Sequence, residues 1–352
     1  MKCATTIDLK PDYTISRVIR GGWQLAGGHG TIDRDTAIRD LIACYDAGIF
    51  TFDCADIYTG VEELIGAFRA RLFAERGLDA LKQIKVHTKL VPDLSMLPQI
   101  SKQHILSIIE QSLMRLRVDY LDLVQFHWWD YSIPGFLGAF HWLDEIRREG
   151  KIRHIGGTNF DTPHVKSVIE AGIPVLSLQV QYSVLDARPE NGLVELCLEH
   201  GIALLCYGSV AGGFLGERWL GACEPEWPLE NRSLVKYKLI IDDFGGWALF
   251  QELLKILDRI ARREGIDIAT VAGRYVLAKP AVAAIIVGAR NSSHIVSNAH
   301  LAQEGLSEAD IGDIDEVTVR RTGPAGDTYT LERDRTGRHG SIMLYNLNAK
   351  AS

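Results

Sequence analysis

The sequence has few cysteines for its length. Six in 352 residues (Cys3, Cys44, Cys54, Cys197, Cys206 and Cys223) stand scattered, with no C-x-x-C pair. That spacing argues against a disulfide framework and against a structural zinc site. No apolar run reaches the ~20 residues needed to cross a bilayer, and the N-terminal Met-Lys-Cys-Ala-Thr-Thr-Ile-Asp lacks the apolar stretch of a signal peptide. A basic stripe is also missing: the net charge is -7, with acidic and basic residues interspersed, so nucleic acid is not an expected partner. Low-complexity tracts are absent. These absences lead us to expect a protein of a reducing cytoplasm, neither membrane-bound nor bound to nucleic acid.

What is present is an alternation. Hydrophobic residues make up 47% of the chain, enough for a sizeable core. Short apolar segments at Val18–Gly21, Ile49–Phe52, Ile84–Thr88, Leu121–Phe126, Ile152–Gly156, Val175–Val180, Ile202–Cys206 and Ala283–Val287 read as strands. The stretches between them carry helical spacing, as in Ile105, Ile108, Ile109, Leu113 and Leu116. Strands separated by helices point to a parallel sheet, because parallel neighbours need crossover connections. The expected fold is therefore α/β, a (β/α)8 barrel of TIM type. A doubly wound sheet would show G-x-G-x-x-G after the first strand. Gly21-Gly-Trp-Gln-Leu-Ala-Gly-Gly-His-Gly30 does not fit that spacing and reads as a loop over a barrel mouth. We expect one domain over residues 1–319, with a large loop from Gly212 to Trp247, and a C-terminal extension over 320–352. The extension reads either as a lid on the mouth or as a solvated tail.

Active sites in a (β/α)8 barrel lie at the C-terminal ends of the strands. Four polar residues sit at or just past such ends: Asp53, Tyr58, Lys89 and His127. A tyrosine near its ordinary pKa of ~10 is a poor acid at neutral pH, and a neighbouring ammonium improves it. A carboxylate would hold that ammonium, and a histidine would orient the substrate oxygen or share the proton. Trp23, Trp128 and Trp129 are candidate walls of a substrate pocket. His87 reads as structural, and Asp56 as a cap on the next helix or a solvated side chain.

At this point the chain resembles the aldo-keto reductase superfamily, from Ser16-Arg-Val-Ile-Arg-Gly-Gly-Trp-Gln24 to about Glu316. Asp53-Cys-Ala-Asp-Ile-Tyr58, with Glu62-Glu-Leu-Ile-Gly66 behind it, is similar to the family's Asp–Tyr motif. Val86-His-Thr-Lys89 resembles its lysine strand. Ser112-Leu-Met-Arg-Leu-Arg-Val-Asp-Tyr-Leu-Asp-Leu-Val-Gln-Phe-His127 resembles its most recognisable stretch. Gly150-Lys-Ile-Arg-His-Ile-Gly-Gly-Thr-Asn-Phe160 resembles the strand that follows.

The resemblance implies an NAD(P)-dependent oxidoreductase that interconverts a carbonyl, an aldehyde or ketone that includes sugar-like ones, and its alcohol. Asp53, Tyr58, Lys89 and His127 would be its catalytic tetrad, with Tyr58 as general acid. It implies Thr158, Asn159 and Gln179 at the nicotinamide carboxamide, Tyr207 stacked on the ring, and Gly22, Trp23 and Gly208 near the cofactor. Gly288, Arg290, His294 and Asn298 would face the adenosine phosphate. Ser297 and His294 depart from the common pattern there, and Tyr207-Gly-Ser-Val-Ala-Gly-Gly-Phe-Leu215 lacks the usual Ser-Pro-Leu run. With Arg290 as the one strong cation, the expected cofactor is NADP rather than NAD. The rival reading of Asn159 is a helix N-cap. The alternative function is a non-catalytic, cofactor-sensing regulatory or scaffold subunit. The expected assembly is a monomer or a small homo-oligomer.

Overall fold

The computed structural model describes residues 6–26, 33–288 and 295–348. Two antiparallel strands come first, β1 (Thr6–Lys10) and β2 (Tyr13–Ser16). Eight parallel strands then close a barrel: β3 (Val18–Gly21), β4 (Thr51–Asp53), β5 (Lys85–Leu90), β6 (Leu121–Phe126), β7 (Ile152–Thr158), β8 (Val175–Gln181), β9 (Ala203–Tyr207) and β10 (Val282–Gly288). β10 pairs with β3, and each other strand pairs with the next in sequence. The (β/α)8 expectation holds. The chain alternates because each parallel pairing is reached only through a crossover.

Helices fill those crossovers. α1 (Arg34–Asp46), α2 (Val61–Gln83), α3 (Lys102–Leu116), α4 (Phe136–Arg148), α5 (Thr162–Glu170) and α6 (Leu193–His200) each follow one strand. Their starts carry ordinary capping chemistry: Asp33, Ser101 and Asp161 each accept the backbone N–H three residues on. α7 (Arg232–Phe244), α8 (Gly246–Glu264) and α9 (Ile268–Leu277) lie between β9 and β10. α10 (Ile295–Leu301), α11 (Glu308–Thr318) and the short α12 (Thr330–Arg333) come last. Among the described residues no helix is long and apolar enough to cross a membrane.

Six of the eight barrel strands run one or two residues further toward the mouth than hydrophobicity alone suggests, and β3 and β6 end where they were read. β4, β5 and β7 to β9 contain Asp53, Lys89, Thr158, Gln181 and Tyr207 near their C-terminal ends. An apolar-run reading stops short of such residues, yet their backbones stay in the ladder. The β1–β2 hairpin was not foreseen. Its Tyr13, fully buried, packs 4.5 Å from the His154 ring and meets His87 Nε2 at 3.1 Å. His87 is thus structural, as read, and burial lowers its pKa to about 3. Ile15, Ile19, Leu123, Leu176 and Leu205 fill the same lower end. The apolar plug leaves the polar groups to the other end.

The Gly212–Trp247 segment differs from expectation, and the C-terminal extension takes one of its two expected forms. The Gly212–Trp247 segment is only half loop, because Asn231 caps α7 and accepts from Leu234 N–H. Leu234, Tyr237, Ile240, Ile241 and Phe244 then form a buried stripe at helical spacing. The segment 320–348 packs on the molecule. Glu332 is fully buried and pairs with Arg188, and Asn348 donates to the Val91 carbonyl.

Candidate active site

The strand register brings Asp53, Lys89 and His127 to one cleft, and Tyr58 reaches it from the loop after β4. Lys89 Nζ donates to Asp53 Oδ2 at 2.6 Å and to the Cys54 carbonyl at 2.9 Å. The other Asp53 oxygen accepts from Gln125 Nε2 at 3.1 Å and Gln179 Nε2 at 2.7 Å. The carboxylate is therefore fixed from three sides. Burial acts to lower the Lys89 pKa, but the charges of Asp53 and Tyr58 and the hydrogen bond to Asp53 together outweigh it and hold the ammonium well above the usual lysine range. This ammonium stands 5.0 Å from the Tyr58 ring centroid. Burial raises the Tyr58 pKa, and the Lys89 charge opposes that rise.

His127 has a defined protonation state. Its Nδ1 lies 3.0 Å from the Thr158 carbonyl. A carbonyl only accepts, so the proton sits on Nδ1. Burial, helped by the Arg333 charge, lowers the ring pKa to about 3. The neutral ring therefore presents a lone pair at Nε2, a buried atom with no partner among the described residues. It can accept a hydrogen bond from a hydroxyl in the cleft.

The two tryptophans separate. Trp129 lines the cleft, edge-on to His127 at 4.3 Å, and donates to the Pro92 carbonyl. Trp128 is no pocket wall, contrary to the sequence expectation. It is fully buried against Phe126, and its Nε1 donates to the carbonyls of Asp130 and Ile133. Successive residues leaving a strand point to opposite sides, so only one of the pair can face inward. Trp23 lines the cleft in a 3₁₀ turn, 5.2 Å from the Tyr58 ring. Gly22 lies behind it, its N–H on the Asp53 carbonyl at 2.8 Å; a Cβ there would stand 2.8 Å from that oxygen.

Thr158, Asn159, Gln179, Tyr207 and Gly208 all line the cleft, as does Gly288 beneath Gln24. Asn159 does not cap a helix. The cap of α5 is Asp161, and Asn159 adopts a left-handed backbone at φ 62. Its carbonyl accepts from Arg333 Nη2 at 2.7 Å, and its Oδ1 accepts from the Tyr207 hydroxyl at 2.8 Å. Asn298 is half-buried on α10. Arg290 and His294 lie outside the described residues. Asp56 is neither a cap nor solvated: it is buried, accepts from Val91 N–H at 3.2 Å, and burial followed by the Glu62 charge raises its pKa to about 8.

Sequence reading missed Gln125, and it pointed to the Gly212–Trp247 segment and the tail without singling out Arg232, Lys236, Tyr329, Ile342, Met343, Leu344 and Leu347. Gln125 was findable as a polar residue two places before His127, in the same inward phase. The others carry no local signal, because helix α7 and the tail reach the mouth only through tertiary packing.

A family model described as the aldo/keto reductase family matches residues 17–319. The chain belongs to the aldo/keto reductase family. As a member it is an NAD(P)-dependent oxidoreductase. It is 27% identical over 327 residues to an NADH-specific methylglyoxal reductase of Escherichia coli, covering 85% of this chain and 93% of that one. Among aldo/keto reductase folds, a glycerol dehydrogenase of Gluconobacter oxydans superposes with a TM-score of 0.75 at 24% identity, over 92% of this chain and 98% of the other. An aldo-keto reductase of Klebsiella pneumoniae in complex with NADPH gives 0.67 at 22% identity, over 90% and 94%.

Proposed function

We propose that the protein interconverts a small aldehyde or ketone and its alcohol, with Tyr58 as general acid and base. The observation that carries this is the Asp53–Lys89–Tyr58 array beside a neutral His127 whose Nε2 is unengaged. The residues present suit a nicotinamide dinucleotide: the Asn159 and Gln179 amides, the Thr158 hydroxyl and the Tyr207 ring stand together in the cleft. When bound, that group would supply or take up the hydride. In the reducing direction Tyr58 gives its proton to the carbonyl oxygen, and the nearby Lys89 charge stabilises the phenolate left behind. Asp53 holds Lys89 charged and in place. His127 Nε2 accepts from the hydroxyl that forms, so it orients the alcohol end of the reaction. In the oxidising direction the hydroxyl first turns its single proton from Nε2 to the Tyr58 phenolate, which accepts it.

The substrate side is walled by Trp23, Trp129, Tyr329, Met343, Leu344 and Leu347. Such walls suit an aldehyde or ketone with an apolar body, or the apolar face of a sugar. Arg290 favours NADP, since a guanidinium matches a 2′-phosphate; the NADH-specific E. coli relative argues the other way. Titration with NADPH and NADH, followed by turnover on methylglyoxal, aromatic aldehydes and sugar aldehydes, tests the reading. Reduction abolished in Tyr58→Phe with dinucleotide binding retained is the expected result. Turnover unchanged by that substitution would remove Tyr58 from the mechanism.

A further inference from the structure

One tail residue reaches the site from behind. Arg333, the last residue of α12, contacts Asn159 and Tyr329, both of which line the cleft. Its Nη2 donates to the Asn159 carbonyl at 2.7 Å and to the Tyr131 hydroxyl at 2.6 Å. Its guanidinium stands 4.1 Å from the Tyr131 ring and 5.4 Å from the Tyr329 ring. The remaining nitrogens Nε and Nη1 are buried with no partner among the described residues. Asp130, beside Tyr131 in the chain, bonds instead to Ser132, and Asp161, two residues past Asn159, to His164. Neutral oxygens and ring faces hold this cation, so no paired carboxylate cancels its charge.

What Arg333 holds is the turn that leaves β7. There the Thr158 carbonyl faces His127 Nδ1 and the Asn159 carbonyl accepts from Arg333, so two successive peptide oxygens are taken by two side chains. Asn159 has a left-handed backbone at φ 62, and Tyr329, at the start of α12, has the same φ. Residues other than glycine rarely adopt that region, and such strain persists only where surrounding contacts over-determine it. Arg333 touches both strained residues. α12 is in turn tied to the sheet: Glu332 accepts from Arg188 through both oxygens, Arg188 donates to Asp186, and Asp186 accepts from Gln181 at the end of β8.

We infer that Arg333 is a positioning residue, which pins the Thr158–Asn159 turn and so aims the His127 ring and the Asn159 amide into the cleft. The inference rests on the roles proposed above for those two side chains. Without Arg333 the Asn159 carbonyl loses its donor and the turn can relax, carrying with it the Thr158 carbonyl that fixes the His127 tautomer. The charge has a second effect. Tyr58 and Lys89 share the cleft with His127 from the loop after β4 and from β5, and Tyr329 and Arg333 reach the ring from the tail. Burial first and the Arg333 charge second keep that ring neutral, which leaves Nε2 an acceptor.

The test compares wild type, Arg333→Met and Arg333→Lys, with melting temperatures alongside. Nitrogen NMR of histidine-labelled protein reads the His127 ring without turnover, its signals assigned by their loss in His127→Asn. Wild type should show one neutral Nδ1–H tautomer down to about pH 5. In Arg333→Met the ring should titrate at higher pH and show both tautomers. The Kd for NADH and NADPH and the KM for benzyl alcohol should each rise about tenfold, with kcat falling less. Arg333→Lys keeps the charge and one donor, so it should restore the wild-type titration and part of the affinity. Unchanged His127 signals, Kd and KM in Arg333→Met, with only a lower melting temperature, would make Arg333 a structural fastener and overturn the inference. Losses that Arg333→Lys does not repair at all would overturn it too. Wild type that binds neither dinucleotide would sink the reading beneath, while the His127 signals would still decide whether Arg333 sets that ring.

Discussion

The two sides of the cleft are held in different ways. On one side Asp53, Lys89 and His127 stand at the ends of three neighbouring strands, each 6% exposed or less. Ladder hydrogen bonds fix their backbones, and buried partners fix their side chains. On the other side Arg232, Lys236, Tyr329 and Leu347 come from α7 and the tail. Those segments are tied down chiefly by side chains: Arg188 to Glu332, Arg333 to the Asn159 carbonyl, Arg232 to the Ile342 carbonyl. On the proposed reading, chemistry that tolerates little misplacement is built on the sheet, and groups that define what enters are built on segments that can vary without disturbing the barrel.

The sharpest way to break the sheet-built side is Lys89→Met. It strands the buried Asp53 carboxylate, which removes the charge acting on Tyr58 and costs about 3–5 kcal/mol of stability. Adding Asp53→Asn should recover most of the stability and none of the turnover. Urea denaturation beside steady-state kinetics reads both. Recovery of turnover in the double variant would mean that the ion pair is scaffolding only. Next in size is Tyr58→Phe, expected to lower kcat by ~10²–10⁴ with little change in melting temperature. That contrast, stability lost at Lys89 but kept at Tyr58, separates the group that holds from the group that reacts.

Arg333→Met probes the other side. It removes the donors to the Asn159 carbonyl and the Tyr131 hydroxyl, at 2.7 and 2.6 Å. Each such charged hydrogen bond contributes about 1.5–3 kcal/mol. We expect weaker dinucleotide binding and a raised substrate KM, with the Lys89–Asp53 pair intact. A fall in kcat alone, with KM and Kd unchanged, would show that the tail acts on the chemistry rather than on entry.

The same division explains what could be read from the chain. The barrel and the placement of Asp53, Tyr58, Lys89 and His127 were legible because strand phase and the site's location at strand ends are local rules. Trp128 was misjudged because two successive tryptophans look alike in sequence, while only one can share the inward phase of His127. Asp56 was misjudged because nothing in Cys54-Ala-Asp-Ile57 shows that Val91 N–H needs an acceptor from it. Lys236 was invisible for a deeper reason. It stands beside Tyr207 in the cleft only because α7 packs at the mouth, which no pattern around it in the chain shows.

Asp56 offers the smallest effect and a test of how the sheet-built side is stapled. The carboxyl sits in the loop between β4 and Tyr58, bonded to Val91 N–H beyond β5. Its pKa is raised to about 8 from the ordinary 3.8, by burial first and the Glu62 charge second. A raised folded-state value means that the unfolded chain releases this proton more readily. The stability associated with the protonated carboxyl is therefore full below about pH 4 and is lost progressively as pH rises through about 8. Asp56→Asn keeps an acceptor for Val91 and carries no charge at any pH. The variant should match wild type near pH 4 and exceed it by on the order of 1 kcal/mol or more near pH 9. Urea midpoints at pH 4, 7 and 9 measure the difference. Parallel curves would show that Asp56 is ionised throughout and that Val91 is held by a charged acceptor. Curves that diverge upward with pH would show that a neutral hydrogen bond fastens the Tyr58 loop to the strand carrying Lys89.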